Sequence, residues 1–475
     1  MRPERKCWNT MIPYKKSIKK VFWLYALMFC ALIGYLLKFL MVDSSSVIVN
    51  TYNPRLSALE KNIHRGEIRD RDGEVLARTV ENGDRLIREY PKGRDFAHVV
   101  GYVQKGKTGV EAYGNFILLE VSDRFIQRVN QVFTGDKLKG NNIILTLDAD
   151  IQHKARELLK GRKGAIVVME PSTGKILAMV SYPDFNPNEI DENWAKLNQD
   201  EENSPLLNRA SQGLYPPGSV YKIVTAAATI ENMENWQDFH YRCSGEANFK
   251  GNSIRCYNSQ AHGEVDLEKA FTVSCNTAFS QLGVDLGGEK MQLISERVLF
   301  NRDLPYELEY SKGRFALTRN SEEKEIIETA IGQGKTLVSP LHMAMITSAI
   351  ANGGILMKPY IIDHVETNYG REKKKQIPQK YDVLFSPEVA SQLTEMMVRV
   401  VNEGTGSQAK IKNVTVAGKT GTAQNASGED HAWFVGFAPA EKPEVVVAVI
   451  IENGGSGGRI AGPIAKELMQ MVINQ

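Results

Sequence analysis

The sequence predicts an α+β protein in which helices cover an antiparallel sheet, with a small extended N-terminal pedestal and one transmembrane helix before it. Three observations support this prediction. One long apolar run follows a basic N-terminus, strand patterns occur both early and late in the chain, and helical patterns fill the stretch between them. Strands that enclose helices in this way favour a single sheet whose edges come from distant sequence.

The bulk properties indicate a folded protein of more than one unit. A chain of 475 residues is too long for one ordinary core. A hydrophobic content of 42% with 24% charged residues argues against extensive disorder. The net charge of +2 and the lack of an RNA- or DNA-binding motif give no reason to expect a nucleic-acid partner.

The N-terminus is predicted to anchor the chain in a membrane. Residues 1–20 are basic, with Glu4 the only acid, and the apolar run VFWLYALMFCALIGYLLKFLMV covers residues 21–42. A helix of that length spans roughly 33 Å, enough for a bilayer core. A cleaved signal peptide is disfavoured because the run is too long and no A-x-A-like site precedes MVDSSS. The positive charge predicts a cytoplasmic tail over 1–20, a transmembrane helix over 21–42, and an extracytoplasmic remainder.

Residues 43–140 are predicted to form the pedestal, a small and partly β module. Charged residues are dense here and apolar runs are short. The segment HRGEIRDRDGEVLART places Asp72-Gly73 between two alternating arms, which is a hairpin signal. Composition changes near Asn142, so a second domain is predicted over residues 141–475.

The second domain is predicted to begin with a strand and with a helix capped by Asp148 or Asp150 and ending near Gly161. Two strands follow, joined by a Pro-Ser-Thr-Gly turn. The later predicted elements are helices over Val220–Glu231, Leu267–Leu282, Leu341–Asn352 and Ile464–Val472, and strands in VTVAGKTGTAQ, AWFVGFAP and VVVAVIIE.

The motif S-x-x-K occurs five times, so the surrounding sequence has to distinguish the copies. Ser219 follows a rigid Pro-Pro-Gly and opens an apolar helix, with Lys222 one turn further along the same face. Burial there would lower the pKa of Lys222 and make it a neutral base, and backbone N–H groups could stabilise an oxyanion. The alternative is a serine cap with a lysine that reaches solvent. The other four copies lie in polar, exposed contexts, namely Ser17/Lys20, Ser172/Lys175, Ser321/Lys324 and Ser407/Lys410.

A serine and an asparagine lie two residues apart in a short connection between helical stretches. Ser274 and Asn276 can both point into one cleft from there. The alternative interpretation is that both residues only end one helix and begin the next.

Lys419-Thr420-Gly421 is predicted to lie on a strand, with Lys419 and Gly421 on one face and Thr420 on the other. The lysine offers a fixed positive charge for a carboxylate, and Gly421 would let a peptide backbone lie close to the strand. Thr422 follows directly. A second K-T-G, at residues 107–109, is interpreted as a loop of the pedestal.

The order S-x-x-K, S-x-N, K-T-G, present as SVYK, SCN and KTG, resembles the penicillin-binding proteins and serine β-lactamases. NRASQGLYPPGSVYKIVT, HGEVDLEKAFTVSCNTAF, AIGQGKTLVSPLHMAMITSAIANGG and AWFVGFAP resemble a penicillin-binding protein transpeptidase domain. RGEIRDRDGEVLA and HVVGYVQKGKTGVEAYG resemble the dimerisation-like pedestal of the class B, monofunctional type. The resemblance covers nearly the whole chain after the anchor.

This resemblance implies a peptidoglycan D,D-transpeptidase. Ser219 would attack the carbonyl of the penultimate D-alanine of a stem peptide, and Lys222 would take the serine proton. Ser274 would pass a proton to the leaving nitrogen, with Asn276 holding Lys222 and the substrate amide. Lys419 would polarise Ser274 and attract the terminal carboxylate.

The resemblance also implies that Thr420 or Thr422 binds the carboxylate and that backbone N–H groups of Ser219 and Thr422 form the oxyanion hole. An amine of a neighbouring stem then makes the cross-link, and β-lactams act as substrate mimics. No metal or other cofactor is expected. The lack of a glycosyltransferase-like domain implies a partner for glycan polymerisation, by family analogy a SEDS-type polymerase at the cytoplasmic membrane. The pedestal is short for the class B type, so the pathway stays open between elongation, division and sporulation.

Two other functions remain open for the same serine. One is hydrolysis, as in a D,D-carboxypeptidase or a β-lactamase. The anchor and pedestal argue against a class A β-lactamase, which is normally a smaller secreted domain. The other is a non-catalytic β-lactam sensor or scaffold of the cell-wall machinery.

Cys243, Cys256 and Cys275 lie outside the predicted anchor, with His262 among them. Their spacing matches no standard zinc pattern, so core or disulfide roles are favoured over a metal site. The compartment would permit a Cys243–Cys256 bridge, and reduced, partly buried thiols are an equal expectation. His431, shortly after the K-T-G, is predicted to be a loop residue at the cleft mouth.

Overall fold

The structure is a computed structural model, and it describes residues 12–38, 63–83, 85–122, 127, 137–425 and 428–475. The chain forms two compact units, one over residues 1–59 and one over residues 60–475. In the first unit, helix α1 runs over Ile12–Lys38.

Helix α1 contains a stretch long and apolar enough to cross a membrane, Ile18–Lys38. Its large hydrophobic side chains are exposed within the unit, as a lipid-facing helix requires. One N-terminal apolar helix of this kind fits a single-pass membrane protein. The end of the predicted span, residues 39–42, lies outside the described residues.

The strands of the second unit are numbered in chain order. They are β1 Ile63–His64, β2 Ile68–Arg69, β3 Val75–Asn82, β4 Arg85–Glu89, β5 Leu138–Lys139, β6 Asn142–Leu145, β7 Gly164–Met169, β8 Ile176–Tyr182, β9 Tyr241–Cys243, β10 Glu246–Phe249, β11 Asn252–Arg255, β12 Gly263–Val265, β13 Ile355–Met357, β14 Ile362–Glu366, β15 Glu372–Lys375, β16 Lys380–Val383, β17 Ala417–Ala423, β18 His431–Ala438 and β19 Val445–Ile451.

The α-helices of the second unit continue the numbering from α1. They are α2 Ala97–Val100, α3 Gly109–Tyr113, α4 Asn115–Leu119, α5 Ala149–Leu159, α6 Ile190–Gln199, α7 Lys222–Asn232, α8 Leu267–Thr272, α9 Asn276–Arg297, α10 Glu323–Ala330, α11 Pro340–Ala351, α12 Pro387–Glu403 and α13 Gly457–Ile473.

A five-stranded antiparallel sheet, in the order β17-β18-β19-β7-β8, forms the centre of the second unit. Helices α5 and α13 cover one face, and α11 packs on the other. Both faces are therefore buried, and alternate residues of β7 enter different cores, with Val167 in one and Ile166 and Val168 in the other. The predicted α+β class, a helix-covered antiparallel sheet with edges from distant sequence, is confirmed.

A six-stranded sheet has the order β15-β14-β6-β2-β3-β4. Strands β2 and β3 form the hairpin predicted at Asp72-Gly73, with Gly73 at φ +90°. Strand β2 also pairs in parallel with β6, Ile68 opposite Ile143. The sheet thus includes strands from both sides of the predicted domain boundary at residue 140, and that boundary stays a prediction.

A buried ion cluster fixes the pedestal. The Glu111 carboxylate is fully buried and accepts hydrogen bonds from Arg65 Nε at 2.6 Å and Arg88 Nε at 2.7 Å. Arg88 also donates to the backbone carbonyl of Gly66 at 2.8 Å. Burial alone would raise the pKa of Glu111, but the two guanidinium groups hold it below its ordinary value.

Candidate active site

Ser219 lies in a single turn of 3-10 helix, Gly218–Tyr221, that leads directly into α7. Gly218 has φ +53°, and its N–H donates to the Gly332 carbonyl at 2.8 Å. A Cβ at Gly218 would lie 2.6 Å from the Thr422 carbonyl oxygen, so this close approach requires glycine. The predicted rigid helix entry is therefore held between two other segments, and it leaves Ser219 half-buried.

Lys222 is fully buried one turn after Ser219. Its Nζ donates to the Ser274 carbonyl at 2.7 Å, to the Ser274 hydroxyl at 3.2 Å and to Asn276 Oδ1 at 2.8 Å. The Nζ also lies 5.3 Å from the centre of the Phe279 ring. Three acceptors match the three N–H bonds of an ammonium group. The alternative of a lysine that reaches solvent is therefore excluded.

Ser274 occupies a sharp break between α8 and α9. Its φ of +57° is in the left-handed region, which non-glycine residues rarely adopt. The next N–H, that of Cys275, donates to the Ala270 carbonyl at 2.8 Å and closes the turn. The short connection predicted between two helical stretches within Leu267–Leu282 is confirmed. It directs both the carbonyl and the hydroxyl of Ser274 at Lys222.

Lys419 on β17 approaches Ser274 from the opposite side of the cleft. The lysine is fully buried, and its Nζ donates to the Ser274 hydroxyl at 3.0 Å and to the Thr420 carbonyl at 3.2 Å. Its Nζ lies 5.5 Å from the centre of the Phe271 ring. One serine hydroxyl thus accepts hydrogen bonds from two buried lysines.

Burial makes both lysines weaker bases than they are in water. It lowers the pKa of Lys222 to about 8, against the opposing effect of the neighbouring thiols of Cys275 and Cys256. Burial also lowers the pKa of Lys419, and the charge of Lys222 lowers it further. A buried amine whose pKa is lowered in this way gives up its proton more easily and can then serve as a proton acceptor.

The two threonines of the K-T-G strand lie at the cleft. Thr420 is paired through its hydroxyl with the Thr405 hydroxyl at 2.6 Å, so that one of the two groups donates to the other. Thr422 is half-buried at the same wall. Both hydroxyls are placed where they can donate to an anionic group of a ligand.

Gly421 serves packing inside the protein. A Cβ at this position would lie 2.8 Å from Cβ of Trp433 and 3.0 Å from Cγ1 of Val220. The sequence predicts that Gly421 leaves room for a substrate backbone. The structure shows that the space beside it is taken by this chain, and that the glycine lets β17 pack against the Ser219 turn.

A cleft of about 900 Å³ opens between the Ser219 turn, the Ser274 connection and β17. Lys222 and Lys419 are buried and Gly421 faces the Ser219 turn. The predicted site residues that line the cleft are Ser219, Ser274, Asn276, Thr420 and Thr422.

Other site residues carry no motif and escape sequence reasoning. Thr405 comes from the loop after α12 and reaches the site only through the fold. The Arg255 carbonyl accepts a hydrogen bond from Asn276 Nδ2 at 2.8 Å and so orients the amide. Gly332 belongs to the segment AIGQGKTLVSP. The resemblance of that segment to the family is the sequence signal that could have marked Gly332 as a site residue.

His431 differs from its prediction as a loop residue. It is the first residue of β18, paired opposite Ala423. Its Nδ1 accepts a hydrogen bond from the Asn453 N–H at 3.1 Å, and its ring packs edge-on against Tyr215. The strand predicted in AWFVGFAP starts at Ala432, and pairing with β17 extends it by one residue to His431.

Two family profiles match the chain. The penicillin binding protein transpeptidase domain matches residues 164–470. The penicillin binding protein A dimerisation domain matches residues 65–143.

Named relatives cover most of the chain. The peptidoglycan D,D-transpeptidase PbpA of Mycolicibacterium smegmatis is 32% identical over 465 residues, which cover 89% of this chain and 92% of that protein. The peptidoglycan D,D-transpeptidase MrdA of Acinetobacter baumannii is 33% identical, over 79% of this chain and 64% of that protein.

Solved structures share the fold. The D,D-transpeptidase domain of a peptidoglycan glycosyltransferase from Eggerthella lenta has a TM-score of 0.80 at 34% identity, covering 87% of this chain and 99% of that one. The imipenem acyl-enzyme complex of penicillin-binding protein A from M. tuberculosis has a TM-score of 0.80 at 31% identity, covering 87% of this chain and 100% of that one.

Proposed function

The chain belongs to the class B penicillin-binding proteins, and on that basis we propose that it is a peptidoglycan D,D-transpeptidase acting through an acyl-enzyme on Ser219. The observation that supports this function best is the hydrogen-bonded chain Lys222–Ser274–Lys419 beside the Ser219 turn, in which both lysines are fully buried and the serine lines the cleft. It provides a base and a proton relay at the serine whose turn leads into the buried helix α7.

Acylation starts with Lys222 in its neutral form. Lys222 accepts the proton of the Ser219 hydroxyl as the serine oxygen attacks the carbonyl of the penultimate D-alanine. Asn276 holds the Lys222 amine through its Oδ1. The backbone N–H groups of Ser219 and Thr422 stabilise the tetrahedral oxyanion.

Loss of the terminal D-alanine requires a proton at its nitrogen. The Ser274 hydroxyl, between two lysines, donates that proton and recovers one from Lys222. Lys419 keeps the relay polarised and attracts the substrate carboxylate. Thr420 and Thr422 bind the same carboxylate through their hydroxyls.

The cleft is bounded by the edge strand of the five-stranded sheet. Strand β17 is the first in the sheet order, so the backbone groups on its outer side can pair with an extended peptide. A donor stem bound in this way presents its carbonyl to Ser219. The amine of a neighbouring stem then attacks the acyl-enzyme and forms the cross-link. A β-lactam acylates the same serine as a mimic of the donor.

Product analysis separates transpeptidation from the alternatives. The full-length protein is incubated with a pentapeptide stem and an amine acceptor, and products are quantified by mass spectrometry. Transpeptidation predicts an aminolysis product that depends on the acceptor and disappears in Ser219→Ala. Hydrolysis alone would indicate a D,D-carboxypeptidase or β-lactamase-type enzyme. Stable β-lactam labelling with neither product would indicate a sensor or scaffold.

The location of the active domain and its partner complete the proposal. The basic residues before the apolar run 21–42 favour a cytoplasmic N-terminus and an extracytoplasmic catalytic domain. Protease treatment of intact cells and of inverted vesicles tests this orientation, and digestion of the catalytic domain only in inverted vesicles would contradict it. A SEDS-type glycan polymerase is the proposed partner. Co-purification from membranes tests it, with one protein that keeps α1 and one in which α1 is replaced.

A further inference from the structure

Four metal-binding side chains meet beside the active site, although they are spread over the sequence. They are Cys243 at the end of β9, Cys256 after β11, His262 before β12 and Cys275 before α9. Their ligand atoms all lie within 4.8 Å of one another. The three thiols are buried and none is in a disulfide bond.

Three of the six distances between these ligand atoms match those of a zinc tetrahedron, and the other three are within 4.8 Å. The Sγ atoms of Cys243 and Cys256 are 3.7 Å apart, those of Cys256 and Cys275 are 3.8 Å apart, and Cys243 Sγ is 3.4 Å from His262 Nδ1. With Zn–S of about 2.3 Å and Zn–N of about 2.0 Å, tetrahedral angles place two sulfurs roughly 3.8 Å apart and sulfur and nitrogen roughly 3.5 Å apart.

A disulfide accounts for the cluster less well. A disulfide needs its sulfurs about 2.05 Å apart, and three thiols always leave one over. A disulfide between any two of the three cysteines would leave the third thiol and the imidazole side by side, and their proximity would have no explanation. One Zn²⁺ uses all four groups at once, and it protects the thiols from oxidation in an extracytoplasmic compartment.

A hydroxyl next to the cluster also provides a hydrogen bond of the kind that thiolate ligands accept. The Thr277 hydroxyl donates to Cys243 Sγ at 3.3 Å and lies 3.3 Å from Cys275 Sγ. Outer hydrogen bonds of this kind orient ligands in metal sites. We propose that Cys243, Cys256, His262 and Cys275 bind one Zn²⁺ ion in a structural Cys₃His site.

The metal would brace the catalytic cleft, and this step rests on the proposed function. Cys275 stands between Ser274 and Asn276, so a bond from its sulfur to zinc fixes the connection that holds both. Cys256 follows Arg255, whose carbonyl accepts the hydrogen bond of Asn276. Zinc therefore ties the two segments that position the Asn276 amide and the left-handed Ser274. The four ligands come from separate elements, so their spacing in the sequence matches no standard zinc motif.

The metal content of the purified full-length protein tests the site itself. We expect about one zinc per chain in the wild type, as a closed four-ligand site requires, and at least a five-fold loss in Cys243→Ser/Cys256→Ser. Cys30→Ser, which removes an exposed thiol of α1, is the matched control and should keep its zinc. No zinc in the wild type after loading with Zn²⁺ under reducing conditions would overturn the proposal, as would unchanged zinc in the double variant.

Two further measurements do not depend on the folding of a variant. They also distinguish failure of the metal-site proposal from failure of the proposed function. Wild-type protein loaded with Co²⁺ should show the thiolate-to-cobalt charge-transfer band and intense visible absorption of a tetrahedral site, and a spectrum without them would contradict it. A chelator should slow fluorescent penicillin labelling roughly ten-fold, with recovery on adding Zn²⁺. Ser219→Ala should keep its zinc while losing labelling. If the wild type binds zinc and is not labelled by penicillin, the proposed function fails and the metal site stands.

Discussion

Lys222 and Lys419 donate hydrogen bonds to the same atom, the hydroxyl oxygen of Ser274, from 3.2 and 3.0 Å. Both lysines are fully buried, and no carboxylate is among the hydrogen-bond partners of either Nζ in the described part of the chain. Two buried ammonium groups in this arrangement would repel each other. This repulsion, together with burial, favours the loss of a proton from the pair, and that tendency prepares the site for proton transfer.

Replacing Lys222 by methionine should abolish most of the acylation while keeping the fold. The change removes the proton acceptor, and general-base catalysis typically contributes at least about 100-fold. The measurement is the second-order rate constant of acylation by a fluorescent penicillin. Lys410→Met changes an exposed lysine in another S-x-x-K copy and should react like the wild type. Equal losses in both variants would show that Lys222 has no special role.

The acylation rate should rise with pH through an apparent pKa near 8. Burial lowers the pKa of Lys222 to about 8, so the group is mostly an ammonium below that pH and mostly a neutral base above it. Only the neutral form can accept the Ser219 proton, so the rate follows the deprotonated fraction. Stopped-flow labelling between about pH 6 and pH 9.5 measures the profile. A rate that is flat or falls across this range would be incompatible with Lys222 as the base.

Thr405 should contribute to binding through Thr420, although no motif marks it. Thr405→Val removes the hydroxyl that is paired with Thr420 at 2.6 Å. The net value of one such hydrogen bond is about 1 kcal/mol, which corresponds to roughly a five-fold rise in KM for a carboxylate-bearing donor. Thr405→Ser keeps the hydroxyl and should restore the wild-type KM. A fall in kcat with KM unchanged in the valine variant would contradict this positioning role.

Glu111→Gln should destabilise the second unit by about 3–5 kcal/mol, because it removes a fully buried carboxylate charge that pairs with two buried arginines. Chemical denaturation gives the free energy of unfolding. Glu89→Gln is the matched control, since its partner Arg78 is exposed and such pairs contribute less than about 1 kcal/mol. Similar losses in the two variants would contradict the buried-cluster interpretation.

The same cluster predicts a pH dependence of stability. The pKa of Glu111 is lowered in the folded protein, so its stabilising contribution is present above the ordinary pKa and is lost as pH falls below about 4.5 through the folded value. The difference between wild type and Glu111→Gln should therefore shrink as the solution is acidified through that range.

The central sheet could be predicted because its strands carry clear local signals. The segments of β7, β8, β18 and β19 are continuous apolar runs, and such runs are typical of strands buried on both faces. The three motifs could also be found, because the sequence pattern marks a helix start at Ser219, a connection between helical stretches at Ser274 and a strand at Lys419.

Other features depend on tertiary contacts that the sequence does not display. Helix α13 begins at Gly457, ahead of the predicted Ile464, since its glycines pack against β17 and β18 and Pro463 is tolerated within the helix. The left-handed Ser274 is stabilised by Lys222 from another helix. Thr405 and the four ligands of the proposed zinc site come together only after folding, so their spacing carries no signal.

The most direct test of a Ser219 acyl-enzyme is mass spectrometry of the full-length protein after exposure to penicillin G. We predict one adduct with the mass of the intact antibiotic, located by peptide mapping on Ser219, and no adduct in Ser219→Ala. An adduct on another residue, or none in the wild type, would contradict the proposed mechanism.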